Sequence, residues 1–498
     1  MVLTPILTEL SPSMGVLLTV AVVLYVVGSA IFIILDNRTP QSTFAWILTF
    51  ILLPILGPVI YLFFGRSWRA FARSGSLASQ AVAGDANQML RQIFTNQDDL
   101  VNRIARERPE SFNRKLAHLV VANRGSLITE YNYVEILQDA SEKYPRLLAD
   151  IRAARHSIHL EYYIWTNDAF TQALKDALIE RAQAGVAVRC LYDATSGKAM
   201  GKQYRADLRA AGVEIYPYLD STLRTLHNIQ YRSHRKIAVI DGMTGYVGGM
   251  NLDREQLEGP KGFDGWRDTH LRIHGEAALA LQSSFAVSWY NTTQTPISDL
   301  DYFPRRRILF DVDVFCPVQI VQSGPDSQWA AIQQLYFSMI MSAASHVYIQ
   351  SPFFIPDPSV SEALKAAALA GVDVRIMCQP RGGTFQIPYR AANTYYAEMA
   401  RAGAKIYLYE NDTYFHPKTI NIDSKICSVG TANMDIRSFN INYEINAVLY
   451  DKALAQQLAD DFTRDMANCV EFTYDEYKQR GLPSRLRDSV YRLASPVL

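Results

Sequence analysis

One short pattern occurs twice in this chain, and its repetition limits the possible folds more than any other feature. His234-Arg235-Lys236 is followed by Asp241, and His416-Pro417-Lys418 is followed by Asp423. Each Asp is followed, at matched spacing, by a glycine and an asparagine: Gly248 and Asn251 in the first copy, Gly430 and Asn433 in the second. A lone His-x-Lys is common and is usually a strand end with a solvated charge pair. Two copies that agree at five positions call for two equivalent structural units.

The surrounding chain repeats in the same order. Ser157 to Ile164 is strand-like, Phe170 to Ala184 reads as a helix, and Gly185-Val186-Ala187-Val188-Arg189 ends that helix and opens a strand. In the second half Val347 to Gln350 is a strand, Val360 to Ala370 a helix, and Gly371-Val372-Asp373-Val374-Arg375 the next strand. A third echo pairs Ala211-Gly212-Val213-Glu214-Ile215-Tyr216 with Ala402-Gly403-Ala404-Lys405-Ile406-Tyr407, each shortly before its His-x-Lys. Strand–helix–strand order implies parallel strands. The fold class expected is α/β: two homologous sandwich repeats packed face to face, over 125–300 and 301–498, meeting near Asp299 to Val321.

Ahead of the repeats lie two apolar runs. Gly15 to Leu35 has no charged residue and as a helix would be about 30 Å long, the thickness of a bilayer's hydrocarbon core. After Asp36-Asn37-Arg38-Thr39-Pro40, a second uncharged run extends from Thr43 to Phe64, with Trp46 near one end and Tyr61 near the other. Pro54, Gly57 and Pro58 argue for a kink or a re-entrant path. No Lys or Arg precedes the first run, so a cleaved signal peptide is disfavoured. Residues 1–74 are therefore expected to be a transmembrane helical hairpin (about 15–35 and 43–64), and residues 75–124 a helical linker. Arg66, Arg69 and Arg73 follow the second run, which by the positive-inside rule puts the large C-terminal part on the cytoplasmic side. Five scattered cysteines without Cys-x-x-Cys fit a reducing compartment and small buried side chains.

Lys+Arg and Asp+Glu are equal at 49 each, which argues against a dedicated nucleic-acid binder. Two imidazoles, two ammonium groups and two carboxamides are suited to attack on a phosphodiester. Cationic and amide donors (Lys236, Lys418, Asn251, Asn433) would hold the non-bridging oxygens. One neutral histidine would attack, and one protonated histidine would release the leaving alkoxide. A neutral imidazole needs an acceptor behind its distal nitrogen. Glu444, downstream of His416, and Asp268, downstream of His234, are the candidates. Asp241 and Asp423 belong to the motif and enter the catalytic set with it, although each ends a strand and a structural role is favoured. No metal-ligand spacing, P-loop or dinucleotide fingerprint is present, so neither metal nor cofactor is expected. The segment from Tyr302 to Arg307 is an aromatic-basic cluster, read equally as an exposed linker or a headgroup contact. Arg485, Arg487 and Arg492, interleaved with Leu486, Val490 and Leu493, suggest a basic amphipathic helix, expected to dock on the body rather than lie on a membrane.

These residues resemble the phospholipase D superfamily, which carries paired His-x-Lys-x4-Asp motifs, and within it the bacterial membrane-anchored cardiolipin synthases. The resemblance covers nearly the whole chain and rests on the apolar hairpin and four further stretches: Leu160 to Trp165, Gly265 to His270, Ser351 to Asp357, and Gly430 to Phe439. It implies conversion of two phosphatidylglycerol molecules into cardiolipin and glycerol through a phosphohistidine. It makes His234 the expected nucleophile, sets Glu444 behind the second-half His416, and makes Asp268 the counterpart behind His234. One phosphodiester is broken and one made, so no nucleotide is needed, and the Asp-Gly-x2-Ala-Arg motif of enzymes that use a CDP-activated lipid is absent. The implied partners are phosphatidylglycerol and the bacterial cytoplasmic membrane, not nucleic acid. The alternatives are a phospholipase D, a phosphatidyltransferase with another donor such as phosphatidylethanolamine, a nuclease, or an inactive scaffold.

Overall fold

The computed structural model describes residues 12–35, 40–61, 65, 96–110, 112–123, 126–219, 231–297, 302, 314–382 and 386–498. They fall into two compact units, an N-terminal helical unit and a large body.

In the N-terminal unit a helix of 24 residues, Pro12–Leu35, carries no acidic or basic side chain in its first or last turn. The second apolar run is not one helix. A helix over Pro40–Leu52 stops before Pro54, and a short helix, Leu56–Ile60, follows the turn. A proline ring removes an N–H and crowds the preceding turn, so the break falls where the sequence anticipates one. The chain then doubles back. The Tyr61 ring centroid lies 5.0 Å from that of Trp46 and 5.5 Å from that of Phe50, so the two rings expected at opposite ends of a second helix are in contact. Among the described residues no helix is long and apolar enough to cross a membrane. The connecting residues 36–39 and Arg66, Arg69 and Arg73, on which the orientation rests, lie outside the described residues, as do 303–307 of the aromatic-basic cluster.

The body is built on one run of fifteen hydrogen-bonded strands. The first half contributes β1 (Leu127–Gln138), β2 (Ser157–Tyr162), β3 (Ala187–Asp193), β4 (Glu214–Tyr218), β5 (Lys236–Ile240), β6 (Thr244–Gly248), a short β7 (Gly265–Arg267) and β8 (Thr269–Gly275). The second contributes β9 (Phe315–Ser323), β10 (His346–Ser351), a short β11 (Phe354–Ile355), β12 (Asp373–Cys378), β13 (Lys405–Tyr409), short β14 (Thr413–Phe415), β15 (Thr419–Ile422), β16 (Ile426–Gly430), short β17 (Met434–Asp435), β18 (Glu444–Leu449) and β19 (Cys469–Phe472). From the middle outward the order is β1-β8-β6-β5-β2-β3-β4 on one side and β9-β18-β16-β15-β10-β12-β13-β19 on the other. The two lists match strand for strand until β19, which is the repeat read in the sequence. β2, β3 and β4 are mutually parallel, as are β10, β12 and β13, and the helices Ala169–Gln183 and Pro358–Leu369 make the crossovers.

Two contacts join the halves. β1 pairs antiparallel with β9, with Leu127 opposite Ile320 and Thr129 opposite Val318. The inner faces also pack together: Ile237, Val239, Val247, Leu271 and Ile273 share one apolar cluster with Cys427, Val429, Ile445, Ala447 and Leu449. Alternation along β5 sends Ala238 and Ile240 the other way, into the cluster under the first half's own helices. Each aliphatic side chain buried this way contributes on the order of 1.5–3 kcal/mol, so the halves form a single body. The helices Gln97–Glu107 and Arg114–Ala122, read in the sequence as linker, belong to it too. Their Leu100, Val101, Ile104, Leu116 and Val120 lie in the second half's core with Leu335 and Val448. All five cysteines are free, four of them buried.

Asn132 locks the seam. Its Nδ2 donates to the Cys316 carbonyl of β9 at 2.9 Å, and its Oδ1 accepts the Ala277 N–H at 2.7 Å, at the start of the helix Ala277–Thr293. Asn132→Leu leaves a buried carbonyl and a buried N–H unpaired. It is expected to cost about 2–4 kcal/mol, read as a lower denaturation midpoint in thermal or denaturant unfolding.

Candidate active site

β5 and β15 carry the two motifs, and the motif's ends do different work. Asp241 and Asp423 stand at the far ends of these strands from the histidines, each with positive φ (53° and 55°) as the chain turns. The Asp241 carboxylate accepts the N–H groups of Arg155, His156 and Ser157 at 2.7–2.9 Å. Asp423 repeats this on Ala344, Ser345 and His346, at 2.9, 2.7 and 2.9 Å. Their oxygens are occupied in tying β5 to the start of β2, and β15 to the start of β10. This is the structural role favoured for both residues from their place at strand ends. Asp423→Asn weakens a charge-assisted backbone tie and is expected to lower stability by about 1–2 kcal/mol, seen in thermal unfolding, while turnover per folded enzyme stays within about twofold.

The histidine ends cross over between halves. His234 Nδ1 lies 3.0 Å from both Glu444 oxygens, and His416 Nδ1 lies 2.7 Å from Asp268 Oδ2. Each imidazole is thus backed by the other half's carboxylate, the reverse of the pairing expected from sequence order. The backbone enforces the crossing. The His234 N–H donates to the Tyr443 carbonyl at 3.0 Å, and the His416 N–H to the Arg267 carbonyl at 2.8 Å. These carbonyls belong to the residues just before Glu444 and Asp268. Ser233 bridges Tyr443, and β14, leading into His416, pairs in parallel with β7, leading into Asp268.

Each carboxylate is held in turn. Thr431 Oγ1 donates to Glu444 Oε2 at 2.5 Å, and Asn442 Nδ2 to Oε1 at 3.2 Å. Asp268 accepts the Thr269 N–H at 2.7 Å and Trp266 Nε1 at 3.3 Å. A Cβ on Gly249 would stand 2.1 Å from Asp268 Oδ1, so only glycine lets the carboxylate sit there. The rings are bracketed by aromatics: Tyr163 meets His234 edge-on at 5.1 Å, and Trp266 lies 4.7 Å from His416. The sequence reading missed Thr431, Asn442, Tyr163 and Trp266 as site residues. Their signal was present: Thr431, Tyr163 and Trp266 lie within stretches that carry the family resemblance, and Asn442 stands two residues before Glu444.

Both lysines are buried in the same site. Lys236 Nζ donates to the His234 carbonyl at 2.8 Å. Lys418 Nζ donates to the His416 carbonyl at 2.7 Å and lies 2.9 and 3.1 Å from that ring's two nitrogens. Asn251 is oriented by the Ile164 N–H, which donates to its Oδ1 at 3.2 Å, so its NH2 faces the other way. The Asn433 N–H donates to Ser438 Oγ at 3.1 Å, and its buried Oδ1 has no hydrogen-bond partner.

Burial pushes His234 down to about 4 and His416 to about 3, against the opposing pull of their carboxylates. It also lowers Lys236 to about 7 and Lys418 to about 8. Glu444 and Asp268 stay below the usual carboxylate range despite burial, because the facing His234 and Lys236, and Lys418 and His416, favour their charged forms. The field of Lys418 reaches His234, and that of Lys236 reaches His416, so the four bases act as one cluster. Between the histidine and lysine values two ammoniums balance two carboxylates around two neutral imidazoles, and Lys236 loses its charge as pH passes about 7. An arriving phosphodiester brings one negative charge, which favours protonation of one imidazole. Among the described residues no cluster of His, Cys, Asp and Glu has the arrangement of a metal site. Binding of a non-hydrolysable phosphonate diester is therefore expected to take up about one proton near pH 7, measured by calorimetry in buffers of different ionisation enthalpy. Because the lysines are cations only below their pKa, Kd should rise as pH climbs through about 7 to 8.

A duplicated α/β fold with one His-Lys pair per half defines a phospholipase D-like protein. The family model described as "Cardiolipin synthase, PLD-like domain" matches residues 147–285 and 336–466, one motif in each stretch, and one described as "Phospholipase_D-nuclease N-terminal" matches residues 18–66. The major cardiolipin synthase of Bacillus subtilis is 37% identical over 493 residues, covering 97% of this chain and 99% of that protein. A cardiolipin synthase of Listeria monocytogenes is 38% identical over 491 residues, with the same coverage. The chain belongs to the cardiolipin synthase family. Among solved structures, a phosphatidylserine synthase of Haemophilus influenzae shares the fold, with a TM-score of 0.57 at 15% identity over 77% of this chain and 100% of that one.

Proposed function

We infer that this enzyme is a phosphatidyltransferase that makes cardiolipin and glycerol from two phosphatidylglycerol molecules. The observation that carries the mechanism is the crossed pair of carboxylate-backed imidazoles in one charge-balanced site. Glu444 holds the proton of His234 on Nδ1 and leaves Nε2 as the nucleophilic lone pair. His234 Nε2 attacks phosphorus, the bond to the glycerol headgroup oxygen breaks, and His416 gives that oxygen its proton. Lys418, against the ring of His416, supports His416 as the acid because an ammonium there can resupply the proton. In the second half-reaction His416 takes the proton from a hydroxyl of the second phosphatidylglycerol. That oxygen displaces His234 from phosphorus, and the site returns to its starting state. Lys236, Lys418, Asn251 and Asn433 hold the non-bridging oxygens, where charge develops. Glycerol is the only by-product, and bonds of the same kind are broken and made.

The N-terminal unit is read as the membrane anchor of this enzyme. Its helix Pro12–Leu35 has no acidic or basic side chain in its first or last turn, which supports contact with the apolar part of a bilayer. The broken second segment, with Tyr61 folded onto Trp46, favours a re-entrant path over a span. The arginines after it support a cytoplasmic active site at the bacterial inner membrane.

Purified enzyme in defined phosphatidylglycerol vesicles, without CTP or added metal, is expected to yield cardiolipin and glycerol in equal amounts by mass spectrometry. Phosphatidic acid as the main product would instead make it a phospholipase. His234→Ala or His416→Ala should reduce turnover by at least about 10³-fold while membrane association is kept. His416→Ala should accumulate a covalent lipid adduct that His234→Ala lacks, under a quench that avoids acid. Substantial activity in both variants would overturn the mechanism.

A further inference from the structure

The helix Leu482–Arg492 is seated with its polar side inward. Asp488 is fully buried and accepts Asn393 Nδ2 at 3.2 Å, from the helix Ile387–Arg401. Tyr491 packs against the second half's core, and Arg492 pairs with Glu398. The opposite side carries Leu482, Leu486 and Val490, continued by Leu493 just past the helix. They are 70%, 61%, 53% and 80% exposed. Their spacing puts all four in one row at 100° per residue, with Arg485 and Arg487 flanking it on either side. The docking on the body expected from the sequence does occur, but it leaves the apolar row uncovered.

The row is fastened to the active-site rim. Tyr389, on the helix that seats it, shares a hydrogen bond of 2.7 Å with Tyr414, whose ring stacks on His416 at 5.9 Å. Beyond the helix the Leu498 carbonyl accepts the Arg437 N–H at 3.0 Å, four residues after Asn433.

We propose that this row inserts into the interfacial layer of an anionic bilayer, with Arg485 and Arg487 against lipid phosphates, and holds the site at the lipid surface separately from the N-terminal helices. An apolar row between cationic flanks is the pattern of a helix lying in that layer. A second protein copy fits less well. Four side chains offer on the order of 500 Å², against about 800 Å² per partner in a standard interface, and arginines on both flanks would face each other across a symmetric contact. The proposal deepens the lipid reading of the site and rests on it for the identity of the substrate.

The test uses the full chain in vesicles of phosphatidylglycerol and phosphatidylethanolamine. Leu486→Cys and Val490→Cys carry a fluorescent label, with Glu362→Cys as the control, and the unsubstituted protein gives the background from its largely buried native cysteines. Lipids brominated along the acyl chain should quench the labels at 486 and 490 and not at 362. In parallel, Leu486→Ser combined with Val490→Ser should raise the apparent KM for vesicle phosphatidylglycerol by about five- to tenfold. The rate on a water-soluble short-chain phosphatidylglycerol should be unchanged. Equal, unquenched labels at all three positions would overturn the proposal. So would shielding that grows with protein density and ignores lipid composition, which would assign the row to a second copy. If the unsubstituted enzyme turned over neither lipid, the substrate reading would fail, while the quenching would still decide the contact.

Discussion

Each imidazole is held by a carboxylate from the opposite half, and the geometry of the whole site depends on that exchange. Neither repeat alone holds a complete site. His234 without Glu444 loses the acceptor that sets its tautomer, and His416 without Asp268 loses the same. The β1–β9 ladder and the apolar contact between inner faces do more than add stability: they bring the segment before each histidine alongside the segment before the other half's carboxylate. Duplication with exchange makes one site from two incomplete ones.

Electrostatics follow from the same arrangement. Four basic groups and two carboxylates in a buried site would be costly if any charge were uncompensated. Balance is reached by leaving the imidazoles neutral and the carboxylates ionised between lysines of lowered pKa. Such a site has a place for one more negative charge. A phosphodiester on a lipid headgroup would supply it.

Much of this was legible in the sequence because it is written in short-range patterns. Strand–helix–strand periodicity, helix-ending glycines such as Gly185 and Gly371, and matched His, Lys, Gly and Asn spacings reflect local backbone preferences that act over a few residues. The structural role favoured for Asp241 and Asp423 was legible for the same reason, since a short carboxylate at a strand end finds backbone N–H groups nearby. The break at Pro54 was legible because proline acts on its own turn. The course after the break was not: the contact between Tyr61 and Trp46 depends on how the returning segment packs. Residues 97–122 looked like a linker because their amphipathic helices are short and polar on one side, and only the second half's core gives their apolar side a partner.

The sequence by itself determined that there are two equivalent units, which residue types each brings to a phosphodiester, and where the strands that carry them begin and end. The tertiary structure decided which carboxylate serves which histidine and which face of the helix Leu482–Arg492 is left outside. Both are contacts between segments distant along the chain: Glu444 lies 210 positions from His234, and Asp268 lies 148 from His416. Local propensity carries no information over such separations. The pairing follows from the register of β1 against β9 and from the packing of the two inner faces, which exist only once both halves have folded together.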